Sequence, residues 1–384
     1  MQNNKIIIGG DVSFDQVKVD EYALSGLSKL SSFLGEAEYS IVNLECPITN
    51  SREKINKIGP NIKCGTNDGT KLLSALNLTH VTLANNHIMD YGYEGLKDTI
   101  ELCNSLNIET FGAGINSEQA SAIPAIILSN EKKIAIINAC EKEFCISDLN
   151  KPGAAHCNVI DMYHRITEAK KNNDEVVVIL HGGHEHYKYV SPEYQKKLRF
   201  FAELGVSAII SHHTHFASGY EIWAGCPIFY SLGNLIFSRE NYKDYWYHGY
   251  LVTLDFSEEK ISFELTPYRQ GKKNNLFEFI AGDEKEKYLK DIHEINNVLQ
   301  NRELLMDLWT KYVHKNEYAY FCWINGLNRL QRMILKKIGI VRFIKFGLSN
   351  SKKQLRLWQL INCESHKEMT EKVLEVVNDD IRRN

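Results

Sequence analysis

The stretch "SHHTHF" at residues 211–216 places three imidazoles within four positions, directly after the apolar run "VSAII" at 206–210. Polar residues follow other β-branched runs in the same way: Asp11 after "KIIIGG", Glu45 after "YSIVNL", Asn85, Asn86 and His87 after "HVTLA", and His181 after "EVVVIL". Carboxylates, an amide oxygen and imidazoles together suit borderline or hard divalent ions such as Zn, Mn or Fe, whereas a thiolate site would carry paired cysteines. A carboxylate can bridge two ions, and two ions ~3.5–4 Å apart activate a water and hold both the entering and the leaving oxygen of a displacement. A histidine beside the ligands could then donate a proton to the leaving group. Taken singly, each residue has a plainer reading as a turn, a cap or a solvated histidine. Recurrence of the same residue types at the same end of successive strands outweighs those readings.

That convergence requires the runs to be neighbouring strands whose carboxyl ends open at one mouth, where α/β proteins build sites. The runs at 5, 39, 80, 133, 175 and 206 read as buried strands. Helical periodicity separates several of them, at 93–106, 159–173 and 191–205. The last of these has Ser191 as N-cap, Pro192 at the first helical position and Gly205 just past the end. After the histidines, "CPIFYSLGNLIF", "GYLVTLDFS" and "KISFELTPYR" predict strands without long helices between them, and hence a more antiparallel second sheet. The expected fold is α/β, with two packed sheets and flanking helices.

Composition is that of a folded globular chain, with 43% hydrophobic and 24% charged residues among 384. The net charge of −3 hides a polarity: residues 271–384 carry six more Lys and Arg than Asp and Glu, so residues 1–270 sum to −9. Texture turns helical from about residue 283, which sets an expected boundary after 270: a main domain at 1–270 and a basic, mainly helical extension at 271–384. Nine scattered cysteines without C-x-x-C spacing read as reduced thiols. Neither a signal segment nor an 18-residue apolar run is evident, and the expected location is cytoplasmic, peripheral to the inner membrane face.

Six ordered blocks, "GGD" at 9–11, "NLECPIT" at 43–49, "LANNHIMDYGYEGLKDTI" at 83–100, "LHGGHEH" at 180–186, "SHHTHF" at 211–216 and "PIFYSLGNLIF" at 227–237, resemble the CapA-type capsule (poly-γ-glutamate) synthesis family. That family is a branch of the calcineurin-like metallophosphoesterase superfamily. The resemblance implies a four-layer α/β/β/α metallophosphoesterase-like sandwich with a C-terminal helical appendage. It implies Asp11, Glu45, Asn86, His181, His213 and His215 as ligands of two divalent ions, with Glu45 bridging. His87 and Glu185 are the implied catalytic residues; His184, His186 and Asn234 are the expected substrate contacts, with solvated loop histidines as the other reading of His184 and His186. His212 is the spare imidazole, structural or lying outside the ligands. Two departures stand out. The superfamily's first motif is Asp-x-His, but here the third position is Ser13, so one ion loses a nitrogen or takes it from elsewhere. In the family's H-W-G-x-E block, Gly182 replaces the tryptophan and removes a wall.

In the extension, no acidic residue lies between Glu317 and Glu364, a stretch that carries nine Lys and Arg interleaved with apolar residues. Such a segment, 329–356, could lie on an anionic membrane or pack its apolar face on the main domain. Nucleic acid ranks last, since no recognised module is present. Two functions are open. One is a metal-dependent hydrolase or transferase acting on a phosphoester, or on an amide or ester bond of a cell-surface polymer. The other is a metal-stabilised scaffold that holds an anionic polymer or capsule-synthesis proteins.

Overall fold

A computed structural model describes residues 4–240, 242–272, 275–324, 326, 327, 329–337, 351–363, 365–370, 373 and 374. Part of the basic segment 329–356 therefore lies outside the described residues, at 338–350.

The β-branched runs form strands where expected: β1 (Lys5–Ser13), β2 (Tyr39–Leu44) and β3 (His80–Thr82), with β4 (Glu109–Phe111) beyond them. Short strands β5 (Ala113–Gly114) and β6 (Ala125–Ile127) precede β7 (Lys133–Cys140), and β8 (Gly153–Ala154) precedes β9 (Glu175–His181) and β10 (Ala208–His212). Then come β11 (Tyr220–Trp223), β12 (Cys226–Phe229), β13 (Asn234–Phe237), β14 (His248–Asp255), β15 (Ser262–Lys272) and β16 (Asn275–Phe279).

The first sheet has the order β16-β15-β14-β1-β2-β3-β4, with β13 pairing the end of β1. Its β1–β4 half is parallel and its β14–β16 half antiparallel. The second sheet runs β11-β12-β10-β9-β7-β6, parallel through its four central strands. One expectation is thereby corrected. Of the late strands, β12 joins the second sheet parallel to β10 and β13 pairs parallel with β1, whereas β14, β15 and β16 pair antiparallel but extend the first sheet, because β14 takes the edge of β1, from Lys5 opposite Asp255 to Ile8 opposite Val252.

Ile6, Ile8 and Ile41 of the first sheet share a core with Ile136, Val178 and Ile209 of the second. The alternate residues Ile7, Val42 and Val81 face the other way. They pack with Leu27 and Leu30 of α1 (Glu21–Leu34), Leu72 of α2 (Thr66–Ser74) and Leu96 of α3 (Gly92–Ser105). On the far side, beyond the short α4 (Ser117–Ala120), α5 (Val159–Asn172) and α6 (Pro192–Glu203) cover the second sheet. The layers are therefore α/β/β/α, as expected. In α6, Ser191 accepts from the Tyr194 N–H, and the buried stripe Tyr194, Leu198, Phe201 and Ala202 follows the helical repeat. Gly205 closes it at φ +81°, a conformation open to glycine.

Two compact units divide the chain, residues 1–306 and 307–384. The first extends past residue 270 because β15 runs through that position, β16 pairs with it, and α7 (Gly282–Gln300) buries Ile292, Ile295 and Leu299 in the main core. Composition changes before compactness does. The second unit holds most of α8 (Arg302–Ile324), and then α9 (Arg329–Lys337) and α10 (Ser351–Asn362). Among the described residues, no helix is long and apolar enough to cross a membrane.

Candidate metal centre

The "GGD" turn sets the geometry at the end of β1. A Cβ on Gly10 would sit 2.0 Å from the Gly233 carbonyl oxygen, and one on Gly9 would meet Leu235 at 2.7 Å. Two glycines let β13 close on β1, and the Asp11 N–H donates to Gly233 O at 3.2 Å. Asp11 then points from the strand end, with Glu45 just past β2, the Asn85–His87 turn past β3, and His181 and His212 ending β9 and β10. His213 and His215 take left-handed backbone conformations (φ 93° and 56°), and His186 does as well (φ 61°). Non-glycine residues are held there only where the surroundings require it, and such positions cluster at functional sites. At His213 the turn aims the backbone N–H at Asp11 Oδ2, 3.1 Å away.

Six side chains converge. His181 Nε2 lies 3.1 Å from Asn86 Oδ1, 3.0 Å from His213 Nδ1 and 3.9 Å from Glu45 Oε1. His215 Nδ1 donates to Asn234 Oδ1 at 2.8 Å, which leaves the lone pair on Nε2, 3.8 Å from Glu45 Oε1. Fixing one ring nitrogen so that the other is free is how a ligating histidine is oriented. Asn43 Nδ2 donates to Asp11 Oδ1 at 2.7 Å and lies 3.1 Å from His181 Nδ1. Ligand atoms of Asp11, Glu45 and His181 all fall within 4.8 Å of one another.

Burial governs the protonation of this cluster. It raises the Asp11 carboxyl to about 7, against the opposing hydrogen bonds from Asn43 and the His213 N–H. Glu45 is pushed well above the carboxylate range by burial first, and then by the carboxyl groups of Asp11, Glu185, Asp90 and Glu143. Burial also brings His213 to about 3 and holds His181 and His215 well below their ordinary value, so these imidazoles are neutral at pH 7. Both Glu45 oxygens are buried, and among the described residues neither has a hydrogen-bond partner. A fully buried carboxyl with no donor, facing neutral imidazoles, is costly unless a cation completes it. The residues therefore fit a divalent-ion centre of mixed oxygen and nitrogen donors.

The remaining expected residues divide. His87 is buried beside the ligands, and its Nδ1–H donates to Asp90 Oδ2 at 2.7 Å. Glu185 is half exposed at the mouth, its carboxyl raised by burial and by Glu143. His184 lies close enough to depress His213, while His186 contacts the Tyr242 hydroxyl at 3.3 Å and tilts against the His215 ring at 5.9 Å. Asn234, expected among the substrate contacts, is instead fully buried: one end accepts from His215 and the other donates to Trp246 O. At Gly182 the space for a tryptophan is taken by Glu141, whose Cγ lies 2.5 Å from where a Cβ would stand.

Sequence reading missed four groups. Asn43 stands two residues before Glu45, and β alternation could have placed it on the same face. Asp90, three residues after His87, is the other case with a signal. Lys57 arrives from the irregular segment 50–63 with only 4% of its side chain exposed, and it pairs with Asp90. Glu143 accepts from Asn86 and lies 4.0 Å from His213 Nε2.

The bacterial capsule synthesis protein PGA_cap profile matches residues 5–239. The PGA biosynthesis protein CapA of Bacillus subtilis is 31% identical over 207 residues, 53% of this chain and 54% of its own. The capsule biosynthesis protein CapA of Bacillus anthracis is 28% identical, covering 55% and 53%. A probable polyglutamine synthesis accessory protein of Mycobacterium tuberculosis is 25% identical over 60% of this chain and 65% of its own. The chain spans about half the length of the first two relatives. Among solved structures, a 5'-nucleotidase from Candida albicans aligns over 82% of this chain and 58% of its own, at 9% identity and a TM-score of 0.41. Since the matched region takes in well over half of the chain and every ligand candidate, the protein belongs to the bacterial capsule synthesis protein family.

Proposed function

We propose that the chain is a metal-dependent hydrolase or transferase of capsule synthesis, acting on a phosphoester or on an amide or ester bond of a surface polymer. The observation that carries this reading is Glu45: a fully buried, unpartnered carboxyl group ringed by Asp11, Asn86, His181, His213 and His215. Two divalent ions (Zn, Mn or Fe) would be held by Asp11, Glu45 and His215 on one side and by Glu45, Asn86, His181 and His213 on the other. Bound there, they would supply an activated water and charge stabilisation for the displaced oxygen.

The chain's own residues do the rest. His87 Nδ1–H is fixed on Asp90, whose other oxygen is paired with Lys57. That leaves Nε2 to carry a proton to a leaving oxygen or nitrogen, with the Asp90 carboxylate steadying the imidazolium. Glu185 and Glu143 at the mouth provide acceptors for substrate donors, and His184 and His186 flank them. Once bound ions displace the protons that burial holds on Asp11 and Glu45, five carboxylates surround one Lys57 ammonium. An anionic polymer would therefore enter only where divalent ions offset that charge.

The test is turnover of metal-loaded protein on phosphomonoester, phosphodiester, peptide and γ-glutamyl panels, with His87→Ala as control. Activity that depends on metal and on His87 supports the reading; a fully loaded protein inert on every panel overturns it. The second reading, a metal-stabilised scaffold for polymer or capsule proteins, is favoured by Ser13, which removes an expected nitrogen from the Asp11 side. It predicts metal uptake and polymer binding without turnover.

A further inference from the structure

Ser13 is fully buried beside Cys46, and its side chain is too short to stand in for an imidazole. His212, the residue left over from the histidine stretch, lies on the Asp11 side of the centre. It ends β10 in register with His181 on β9, and residues paired across neighbouring strands project from the same face. The His212 ring is 1% exposed, its Nδ1 is 3.6 Å from Asp11 Oδ1, and among the described residues neither nitrogen has a hydrogen-bond partner. His87, His181, His213 and His215 each have one.

A packing role does not account for this. A buried ring with two unpaired nitrogens is destabilising, where an apolar side chain would fill the space without that cost. Two donors bound to one ion at about 2.1 Å lie about 3.0 Å apart at a right angle and about 3.4 Å apart in a tetrahedron. The His212–Asp11 separation is close to that span.

We propose that His212 is a nitrogen ligand of the ion held by Asp11, replacing the imidazole absent at position 13. Each ion then has two imidazoles, His212 and His215 on the Asp11 side, His181 and His213 on the Asn86 side, with Glu45 shared. The inference rests on the metal-dependent reading above, and its test separates the two.

Full-length protein is loaded with Co(II), and the hyperfine-shifted imidazole N–H signals are counted by proton NMR. In parallel, ions per chain and affinity are measured by chelator competition for the wild type, His212→Ala, His212→Gln and the double variant Ser13→His/His212→Gln. The expected wild-type count is four shifted signals. Both single variants should lose one signal and bind one ion at least about 10-fold more weakly while keeping the other. The double variant should recover that ion. Three signals in a two-ion wild type, or His212 variants with unchanged signals whether or not affinity falls, overturn the inference and leave the metal-dependent reading intact. A wild type that takes up no ion overturns both. The wild-type count stands even where a substitution prevents folding.

Discussion

Replacing Glu45 by glutamine should change stability in opposite directions with and without metal. Glutamine matches the protonated acid in shape and removes its charge. In the metal-free protein Glu45 must hold a proton or bury a negative charge near Asp11, Asp90, Glu143 and Glu185, with neither oxygen partnered. Glutamine keeps an unpartnered polar end, so the relief is that of ionisation alone, about 1–3 kcal/mol between about pH 5 and 7. At roughly 2 °C per kcal/mol for a chain of this size, the metal-free variant should melt about 2–6 °C above the wild type. The sign with pH follows from the raised carboxyl. A group held above its ordinary value of 4.5 contributes stability that is complete below that value and is lost as pH rises through the folded one. The variant's advantage should therefore be absent at acid pH and widen upward from about pH 5. With divalent ions present the order should invert, because losing the shared carboxylate weakens the binding of each of two ions by about 10–100-fold, together about 2.7–5.4 kcal/mol under saturating metal against the smaller metal-free gain. Calorimetry at several pH values, with chelator and with Mn or Zn, measures all of this. A Glu45→Gln variant equally destabilised in both conditions would show that Glu45 is a packing residue, and the reasoning would fail.

Other outcomes follow from the same geometry. His87→Ala should lower turnover by about 10²–10⁴-fold with unchanged ions per chain, read by steady-state kinetics beside elemental analysis. Lys57→Met leaves Asp90 buried without its counter-charge and should cost about 3–5 kcal/mol by denaturant titration, with much of the loss recovered in Lys57→Met/Asp90→Asn. Gly10→Ala drives a methyl into the Gly233 carbonyl; it should lose about 1–3 kcal/mol of stability and also weaken metal binding, because Asp11 is displaced with the strand end.

The convergence of these side chains was legible because strand ends carry a strong signal: an uninterrupted β-branched run stops, and the polar residue that follows is placed by the sheet. Asp11, Glu45, His181 and the His213/His215 pair all follow that rule. Sheet order was harder to read. Nothing local to "GYLVTLDFS" says that it will pair with β1 instead of joining the second sheet, since partner choice depends on which edge is free after the parallel strands have formed. Lys57 was not legible either, because segment 50–63 has no periodicity to aim a side chain. Asn234 was assigned to substrate for its motif, yet it lies buried at a strand start, where its amide oxygen accepts from His215 and its nitrogen donates to Trp246 O. The boundary after residue 270 followed composition, whereas compactness follows strand pairing through β16 and the packing of α7.

Anomalous diffraction from crystals grown with Mn or Zn, collected on either side of the metal absorption edge, tests the central claim most directly. Two peaks about 3.5–4 Å apart are expected, joined by Glu45, one beside Asp11 and His215 and the other beside Asn86, His181 and His213. Clear density for these side chains with no anomalous peak among them would contradict it.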